Sequence, residues 1–139
     1  MGTCYLAEQP TGAFVEAFQI YGAVVRRPVV EARRVSILSV PRTALLADCT
    51  NARARAFGLT AEIHTMTTRR RTRIWAHAFA GAGFDGIRFL VRHDPSQRRV
   101  GIALFGPAGQ TDWPVLATSE IGADLMLDVE RLFGIRVEP

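Results

Sequence analysis

The chain has 139 residues, 48% of them hydrophobic and 22% charged, and 17 basic against 13 acidic residues give a net charge of +4. This is the length of one globular domain that buries roughly two-thirds of its unfolded surface. No stretch approaches the roughly 18 consecutive apolar residues of a membrane span, and the first residues do not resemble a secretory signal. We therefore expect one soluble, cytoplasmic domain over 1–139. The two cysteines, Cys4 and Cys49, are too few for a disulfide scaffold and favour a reducing compartment.

Every basic residue in the chain is an arginine. Guanidinium groups suit phosphates and carboxylates, but a GC-rich genome produces the same bias, and we favour the genomic explanation. The pI of 10.0 keeps nucleic acid among the candidate partners. However, aromatic residues do not interleave with the arginines as they do on a base-stacking platform, which disfavours direct nucleic-acid binding.

The N-terminal half carries the patterns of three strands and two short helices. We expect a strand at 5–7, a helix over 12–21 capped by Thr11, a strand at 35–40 ended by Pro41, a third strand at 43–48, and a helix over 52–57 between Asn51 and Gly58.

The C-terminal half adds two longer helices and three strands. We expect a helix over 70–82 before Gly83, strands at 86–91 and 99–105 joined by a turn at 93–96, a helix over 119–133 before Gly134 with a buried stripe of Ile121, Leu125, Val129 and Leu132, and a strand at 135–137. The strand at 99–105 is small or apolar on both faces, which is typical of a central strand. Strands and helices are mixed without strict alternation, which predicts a compact α+β domain with a mixed or antiparallel sheet and flanking helices.

Several common functional sites are excluded or disfavoured. No Gly-x-Gly-x-x-Gly follows a strand, and a chain without lysine has no Walker lysine. No serine lies in a Gly-x-Ser-x-Gly motif. The residues that could ligate zinc lack its usual spacing: His64, His77, His93, Cys4 and Cys49. The cluster Arg69-Arg70-Arg71-Thr72-Arg73 is explained by a solvated loop, with an acidic or phosphate-bearing partner as the alternative.

The opening segment is more informative. Tyr5 lies on a predicted strand and Glu16 on the helix that follows, eleven positions later, so a phenol and a carboxylate can face one cleft. Ala13 and Ile20 flank Glu16 on its helix, which places the carboxylate beside an apolar stripe and predicts that it is half-buried. On this pattern alone, a glutamate at the rim of an ordinary amphipathic helix is favoured.

Two separated blocks of sequence carry a resemblance to a known family. The first is Gly2-Thr3-Cys4-Tyr5-Leu6-Ala7 followed by Ala13-x-x-Glu16-Ala17; the second is Gly83-Phe84-Asp85-Gly86-Ile87-Arg88-Phe89 with Ala103-Leu104-Phe105-Gly106. In this order they resemble the RES-domain family of bacterial toxins, which are named for Arg, Glu and Ser positions. The resemblance covers roughly residues 2–106 and implies a fold similar to ADP-ribosyltransferase toxins.

The resemblance also implies an activity and partners. Members of the family degrade NAD+, as a substrate and without a further cofactor, by hydrolysis or phosphorolysis of the nicotinamide–ribose bond. They are usually encoded beside a helix-turn-helix antitoxin of the Xre type that inhibits them. The resemblance therefore implies an NAD+ glycohydrolase or phosphorylase of a toxin–antitoxin system, and it leaves open whether phosphate takes part and whether the chain forms a homo-oligomer.

Site residues are carried over only where the family's motif matches. Glu16 and Tyr5 fall on the family's glutamate and tyrosine and are the expected catalytic residues. The family's serine position is occupied by Val91, and Arg92 or Arg88 is expected to contact phosphate in its place.

The sequence also departs from the family pattern. The family's first arginine precedes the strand of Tyr5, and no residue of 1–139 falls on that position. We expect either that the N-terminal segment of the family is lacking or that a later arginine takes its place. Three hypotheses follow, in decreasing order of preference: an NAD+-cleaving toxin, a catalytically impaired NAD-binding module of the same fold, and an arginine-rich domain that binds nucleic acid or an acidic partner.

Overall fold

The computed structural model describes residues 1–40 and 43–139, with only the backbone of Arg69. In these ranges the strands are β1 (Gly2–Ala7), β2 (Val24–Arg26), β3 (Arg34–Leu38), β4 (Leu46–Asp48), β5 (Gly86–Leu90), β6 (Val100–Gly106), β7 (Val115–Glu120) and β8 (Arg136–Glu138). The α-helices are α1 (Pro10–Ala17), α2 (Arg27–Glu31), α3 (Glu62–Thr65), α4 (Arg69–Gly81) and α5 (Ala123–Phe133). The 3₁₀ segments are Gln19–Tyr21 and Ala52–Phe57.

The main sheet has the strand order β1-β6-β5-β4. Strand β6 pairs antiparallel with both β1 and β5, and β4 pairs parallel with β5, so the predicted central strand is confirmed. Two small sheets, parallel β2-β8 and antiparallel β3-β7, lie outside it. The protein is thus a compact α+β domain with a mixed sheet and flanking helices, as the sequence predicts.

The core lies where α1 packs against α5 and the β2-β8 pair. Its fully buried members are Phe14, Phe18, Val25, Val30 and Val129. The rings of Phe14 and Phe18 lie 4.3 Å apart and are tilted by 34°, a geometry that adds to the burial of their apolar area. This core fixes α1 at one edge of the main sheet.

Helix α1 begins earlier and ends sooner than its sequence predicts. Pro10 occupies the first turn, where the missing N–H costs nothing, and Gln9 precedes it in an extended conformation. Thr11 is therefore buried inside the first turn, and its prediction as the cap was wrong. Beyond Ala17 the chain tightens into a 3₁₀ turn and reverses at Gly22, whose φ is +64°.

The start of the last helix differs most from its prediction. Helix α5 starts at Ala123, because Ser119 and Glu120 belong to β7, where Glu120 pairs with Arg34 at 2.7 Å. Val129 is fully buried as predicted, but Leu132 is 52% exposed.

In the middle of the chain the observed elements differ less from the predicted ones. The predicted strand at 35–40 spans Arg34–Leu38, and its end at Pro41 lies outside the described residues; the strand predicted at 43–48 shortens to β4. Residues 52–57 form a 3₁₀ turn, although Asn51 caps it as expected, accepting a hydrogen bond from the amide of Arg53 at 2.9 Å. Strands β2 and β7 and helices α2 and α3 were not predicted.

The remaining C-terminal predictions agree closely with the structure. Helix α4 lies one residue before its predicted bounds, so the arginines expected in a solvated loop belong to its first turns. Residues 91–99 connect β5 and β6, and the predicted turn at 93–96 falls within this connection. Strand β8 follows α5 after Gly134, whose φ is +67°. No helix in the described ranges is long and apolar enough to span a bilayer.

Candidate functional site

A large cleft lies over one face of the main sheet. Its volume is about 1160 Å³, and its walls are helix α1 on one side and the segment from α3 to α4 on the other. Three neighbouring strands supply the floor, because alternate residues point to the same face. The floor residues are Thr3 and Tyr5 of β1, Gly101, Ala103 and Phe105 of β6, and Ile87 and Phe89 of β5 followed by Val91.

Gly101 allows this shape, and the surroundings of Gly12 show how closely α1 approaches the sheet. A Cβ atom on Gly101 would lie 2.5 Å from the ring of Phe89, so the ring can lie across β6 only because that position is glycine. A Cβ on Gly12 would lie 3.4 Å from the Cβ of Ala7 and 3.5 Å from that of Arg99, so α1 runs close above the sheet. This approach brings Glu16, one turn further along α1, to the wall of the cleft.

Glu16 is half-buried, as its position on the helix predicts. Its Oε1 atom accepts a hydrogen bond from the backbone N–H of His93 at 3.3 Å. Helix α1 and the turn after β5 are thereby joined through the carboxylate, which is held facing the cleft.

Asp94 organises the turn that supplies this N–H. Its side chain is 2% exposed and accepts hydrogen bonds from the amide and hydroxyl of Ser96 (2.9 and 2.6 Å) and from the amides of Arg98 and Arg99 (3.0 and 2.9 Å). Burial by itself raises the pKa of Asp94, but these hydrogen bonds outweigh it and hold the pKa below its ordinary value. A buried, charged acceptor therefore fixes the loop beside Glu16.

The structure brings Tyr5, Glu16, Val91 and Arg92 to the same cleft. Tyr5 stands on the floor with 74% of its surface exposed, so its ring and hydroxyl are accessible to a ligand. Val91 is 1% exposed and forms part of the apolar floor. Arg92 is exposed at the margin.

Arg88 is not brought to this cleft. It lies between Ile87 and Phe89 on β5 and points to the opposite face of the sheet, where its guanidinium contacts Glu8 at 2.9 Å and Thr50 at 2.8 Å. It also contacts Asp48 at 3.5 Å. The hydrogen bond from Arg88 to Glu8 and the nearby carboxylate charges raise the pKa of Arg88 despite some desolvation.

Sequence reasoning missed the role of His64. Strand β4 pairs with β5 only at Gly86–Arg88, so it does not reach Leu90. The amide of Leu90 instead donates a hydrogen bond to Nδ1 of His64 at 3.2 Å. Burial lowers the pKa of His64, which keeps the imidazole neutral at pH 7, with the hydrogen on Nε2. The ring also lines the cleft.

The charged groups of the cleft favour an anionic ligand. Arg73 and Arg92 line it together with His77, and Glu16 is the acidic residue among its lining residues. Within residues 1–40 and 43–139, no group of three or more His, Cys, Asp or Glu side chains is arranged to hold a metal ion. The arrangement therefore provides one oriented carboxylate, one accessible phenol and two guanidinium groups around an apolar floor.

The fold and cleft define a small α+β domain with a large cleft over one face of its sheet. The family model described as "RES domain" matches residues 1–124. The chain belongs to the RES-domain family. Among curated proteins and solved structures, no significant match was found.

Proposed function

We propose that this protein cleaves NAD+ at the nicotinamide–ribose bond and acts as the toxin of a cytoplasmic toxin–antitoxin pair. The observation that carries the proposal is the orientation of Glu16, whose carboxylate is fixed by the His93 amide in a cleft with arginines and an exposed tyrosine. Membership of the RES-domain family supports the same activity. We also propose that the fold is similar to that of ADP-ribosyltransferase toxins.

The chemistry of the bond fits these groups. As the bond between C1′ of ribose and the nicotinamide nitrogen breaks, its electron pair leaves with neutral nicotinamide and the ribose gains oxocarbenium character. The Glu16 carboxylate stabilises that positive charge and orients the acceptor. Attack by water gives ADP-ribose and one proton, which Glu16 passes to solvent; attack by phosphate gives ADP-ribose 1″-phosphate.

The other residues of the cleft position the substrate. Tyr5 stacks on or hydrogen-bonds to the nicotinamide riboside, since its ring stands free on the floor. Arg92 and Arg73 bind the pyrophosphate, which a guanidinium contacts with two hydrogen bonds. The proposal makes no use of Arg88, whose guanidinium is engaged on the opposite face.

Val91 favours one alternative, an NAD-binding module with impaired turnover. A hydroxyl at the family's serine position can donate a hydrogen bond to a phosphate or ribose, and the buried valine cannot. In that case the cleft binds NAD+ without consuming it.

One experiment separates the two functions. Purified protein is incubated with NAD+, with and without inorganic phosphate, while nicotinamide release is followed, and NAD+ binding is measured in parallel by calorimetry. Release by the wild type that is lost in Glu16→Gln supports the enzyme, and dependence on phosphate identifies the acceptor. Binding without release supports the impaired module, and neither binding nor release contradicts both.

The toxin assignment has its own test. Expression in a bacterial host should deplete cellular NAD+ and stop growth, and co-expression of a neighbouring Xre-type helix-turn-helix protein should restore both. The Glu16→Gln variant is the matched control for expression burden. Growth arrest that persists in Glu16→Gln would show that NAD+ cleavage is not its cause.

A further inference from the structure

A second, smaller cavity, which we call the side pocket, adjoins the cleft. Its volume is about 310 Å³, and it lies between the segment 58–66 and helix α4. Ile63, Met66 and Trp75 line both spaces, so the side pocket and the cleft are neighbours across a shared wall. Its size is at the lower end of ligand pockets, which range over about 300–1,000 Å³.

Five of the nine residues that line the side pocket are apolar, and one of them offers a flat aromatic surface. Leu59 is 7% exposed, Ile63 and Met66 are half-buried, and Ile74 lines the side pocket although it is 60% exposed. The indole of Trp75 stacks on Phe79, with ring centres 5.7 Å apart and planes 27° apart. Because this contact holds the indole in place, little side-chain entropy is lost when a planar ligand binds.

The mouth of the side pocket holds one acceptor and one donor. Glu62 and Arg71 face each other there, with Oε1 and Nη1 3.4 Å apart, and their side chains are 61% and 65% exposed. Such an exposed ion pair contributes little stability, so exchanging it for contacts with a ligand costs little. The hydroxyl-bearing Thr60 also lines the mouth.

An apolar slot with an aromatic wall and an acceptor beside a donor matches the chemistry of a purine base. The base stacks through its π-face, its exocyclic amino group donates to a carboxylate, and its ring nitrogens accept from a guanidinium. Arg73, two residues before Trp75 on α4, lines the cleft next to the side pocket and provides positive charge for the phosphate of the nucleotide that carries this base.

We propose that the side pocket binds the adenine of the dinucleotide whose nicotinamide riboside lies at Glu16. The inference rests on the proposed function, and it assigns Trp75 and Glu62 as residues that determine specificity. Stacking on Trp75 supplies affinity, and the Glu62 carboxylate distinguishes an amino group from a carbonyl at the purine edge. The side pocket is remote from the bond that breaks, so it affects KM and leaves kcat nearly unchanged.

Direct binding is tested with AMP as the probe. The Trp113→Phe variant leaves Trp75 as the sole tryptophan; Trp113 lines neither cavity, and its Nε1 donates to the carbonyl of Gln110 at 3.2 Å. AMP should quench the fluorescence of this variant, since the base stacks on the indole. Ribose 5-phosphate, which lacks the base, is the control and should not quench.

Kinetics test the same contacts during turnover. Trp75→Ala should raise KM for NAD+ about tenfold or more, the loss expected for one base–aromatic contact. It should raise KM for nicotinamide mononucleotide, which lacks the adenine, much less. Trp75→Phe should retain most of the affinity, and Trp113→Ala is the matched control. Glu62→Gln should reduce the ratio of kcat/KM for NAD+ to kcat/KM for the analogue with hypoxanthine in place of adenine. The reason is that the amide of glutamine can donate a hydrogen bond to the carbonyl of hypoxanthine.

The outcomes separate this inference from the proposed function. If NAD+ is cleaved but Trp75→Ala changes KM for dinucleotide and mononucleotide equally or not at all, the side pocket does not bind adenine, although the enzyme assignment stands. If nicotinamide is not released but AMP quenches Trp75, the side pocket binds a purine and the enzyme assignment fails. Absence of quenching by AMP at millimolar concentration overturns the inference in either case.

Discussion

The backbone N–H of His93 and the Oε1 atom of Glu16 are joined by a 3.3 Å hydrogen bond although the residues lie 77 positions apart in the chain. The bond links helix α1 to the turn of the β5-β6 hairpin. A carboxylate that stabilises positive charge in a transition state, as we propose for Glu16, must be oriented before the substrate arrives. This contact provides that orientation and makes the hairpin turn part of the site.

Replacement of Glu16 tests its role directly. Glu16→Gln keeps the size of the side chain and removes the charge, so nicotinamide release should fall at least about 100-fold, while the melting temperature changes little. Glu130→Gln, an exposed position on α5, is the matched control and should retain full activity. Equal activity of the two variants would remove Glu16 from the mechanism.

Asp94 should act through the turn and not through the substrate. Asp94→Asn leaves some of the surrounding amides without an acceptor, so the free energy of unfolding should fall by about 1–3 kcal/mol and kcat should fall more than KM rises. Asp48→Asn is the matched control, since Asp48 accepts from the amide and hydroxyl of Thr50 in the same way but lies outside the cleft. A kcat reduced equally in both variants would mean that only stability matters.

The same carboxylate has a predictable pH dependence. Because the pKa of Asp94 is lowered in the folded protein, its contribution to stability is complete above the unfolded value of about 3.9 and is lost as the pH falls through the folded pKa. The difference in melting temperature between the wild type and Asp94→Asn should therefore be constant near neutral pH and shrink in acid. A difference that grows below pH 4 would contradict this sign.

Alanine substitutions of Arg88 and Arg92 should change different properties, stability in the first case and KM in the second. Arg88→Ala breaks contacts with Glu8 and Thr50 that are only half-buried, so it should lower the free energy of unfolding by about 1–2 kcal/mol without changing KM. Arg92→Ala removes a cation at the edge of the cleft, so it should raise KM and leave the melting temperature unchanged. The measurements are thermal melts and steady-state kinetics with NAD+.

The sequence predicts the elements whose signals are local. Apolar spacing predicts helix α4, and the turn residues around Asp94 predict the β5-β6 hairpin. The strand of Tyr5 followed by the helix of Glu16 places both residues at one cleft, because the connection between them is short. These parts were predicted from neighbouring residues alone.

Other features depend on partners that are distant in the chain. Strand β7 is exposed along its whole length and lacks alternation, and it forms because it pairs with β3, so its last residues were mistaken for the start of a helix. Strand β4 is short and does not pair with Leu90. The Leu90 amide therefore bonds to His64, and this contact holds the imidazole beside the cleft. By contrast, side chains alternate along β5, so Arg88 lies on the other face of the sheet from Ile87 and Phe89. This alternation could have been read from the sequence.

Val91 allows a test by gain of function. Val91→Thr keeps the shape of the side chain and introduces a hydroxyl in the floor of the cleft, where it can donate to a ribose or phosphate. We expect kcat/KM for NAD+ to rise, and the free energy of unfolding to fall by about 1–3 kcal/mol because a hydroxyl is buried. Val30→Thr, fully buried in the core, is the matched control and should reduce stability without raising activity. A loss of activity in Val91→Thr would indicate that the apolar floor itself is required.

His64 makes stability depend on pH near neutrality. Burial lowers its folded pKa, so the unfolded chain takes up a proton first as the pH falls below the unfolded value of about 6.5, and stability decreases until the folded pKa is passed. His64→Gln has no titrating group and can still offer a carbonyl oxygen to the Leu90 amide. Its melting temperature should therefore vary less than that of the wild type between pH 7.5 and about 5.5. Parallel pH profiles for the wild type and His64→Gln would show that another group titrates in this range.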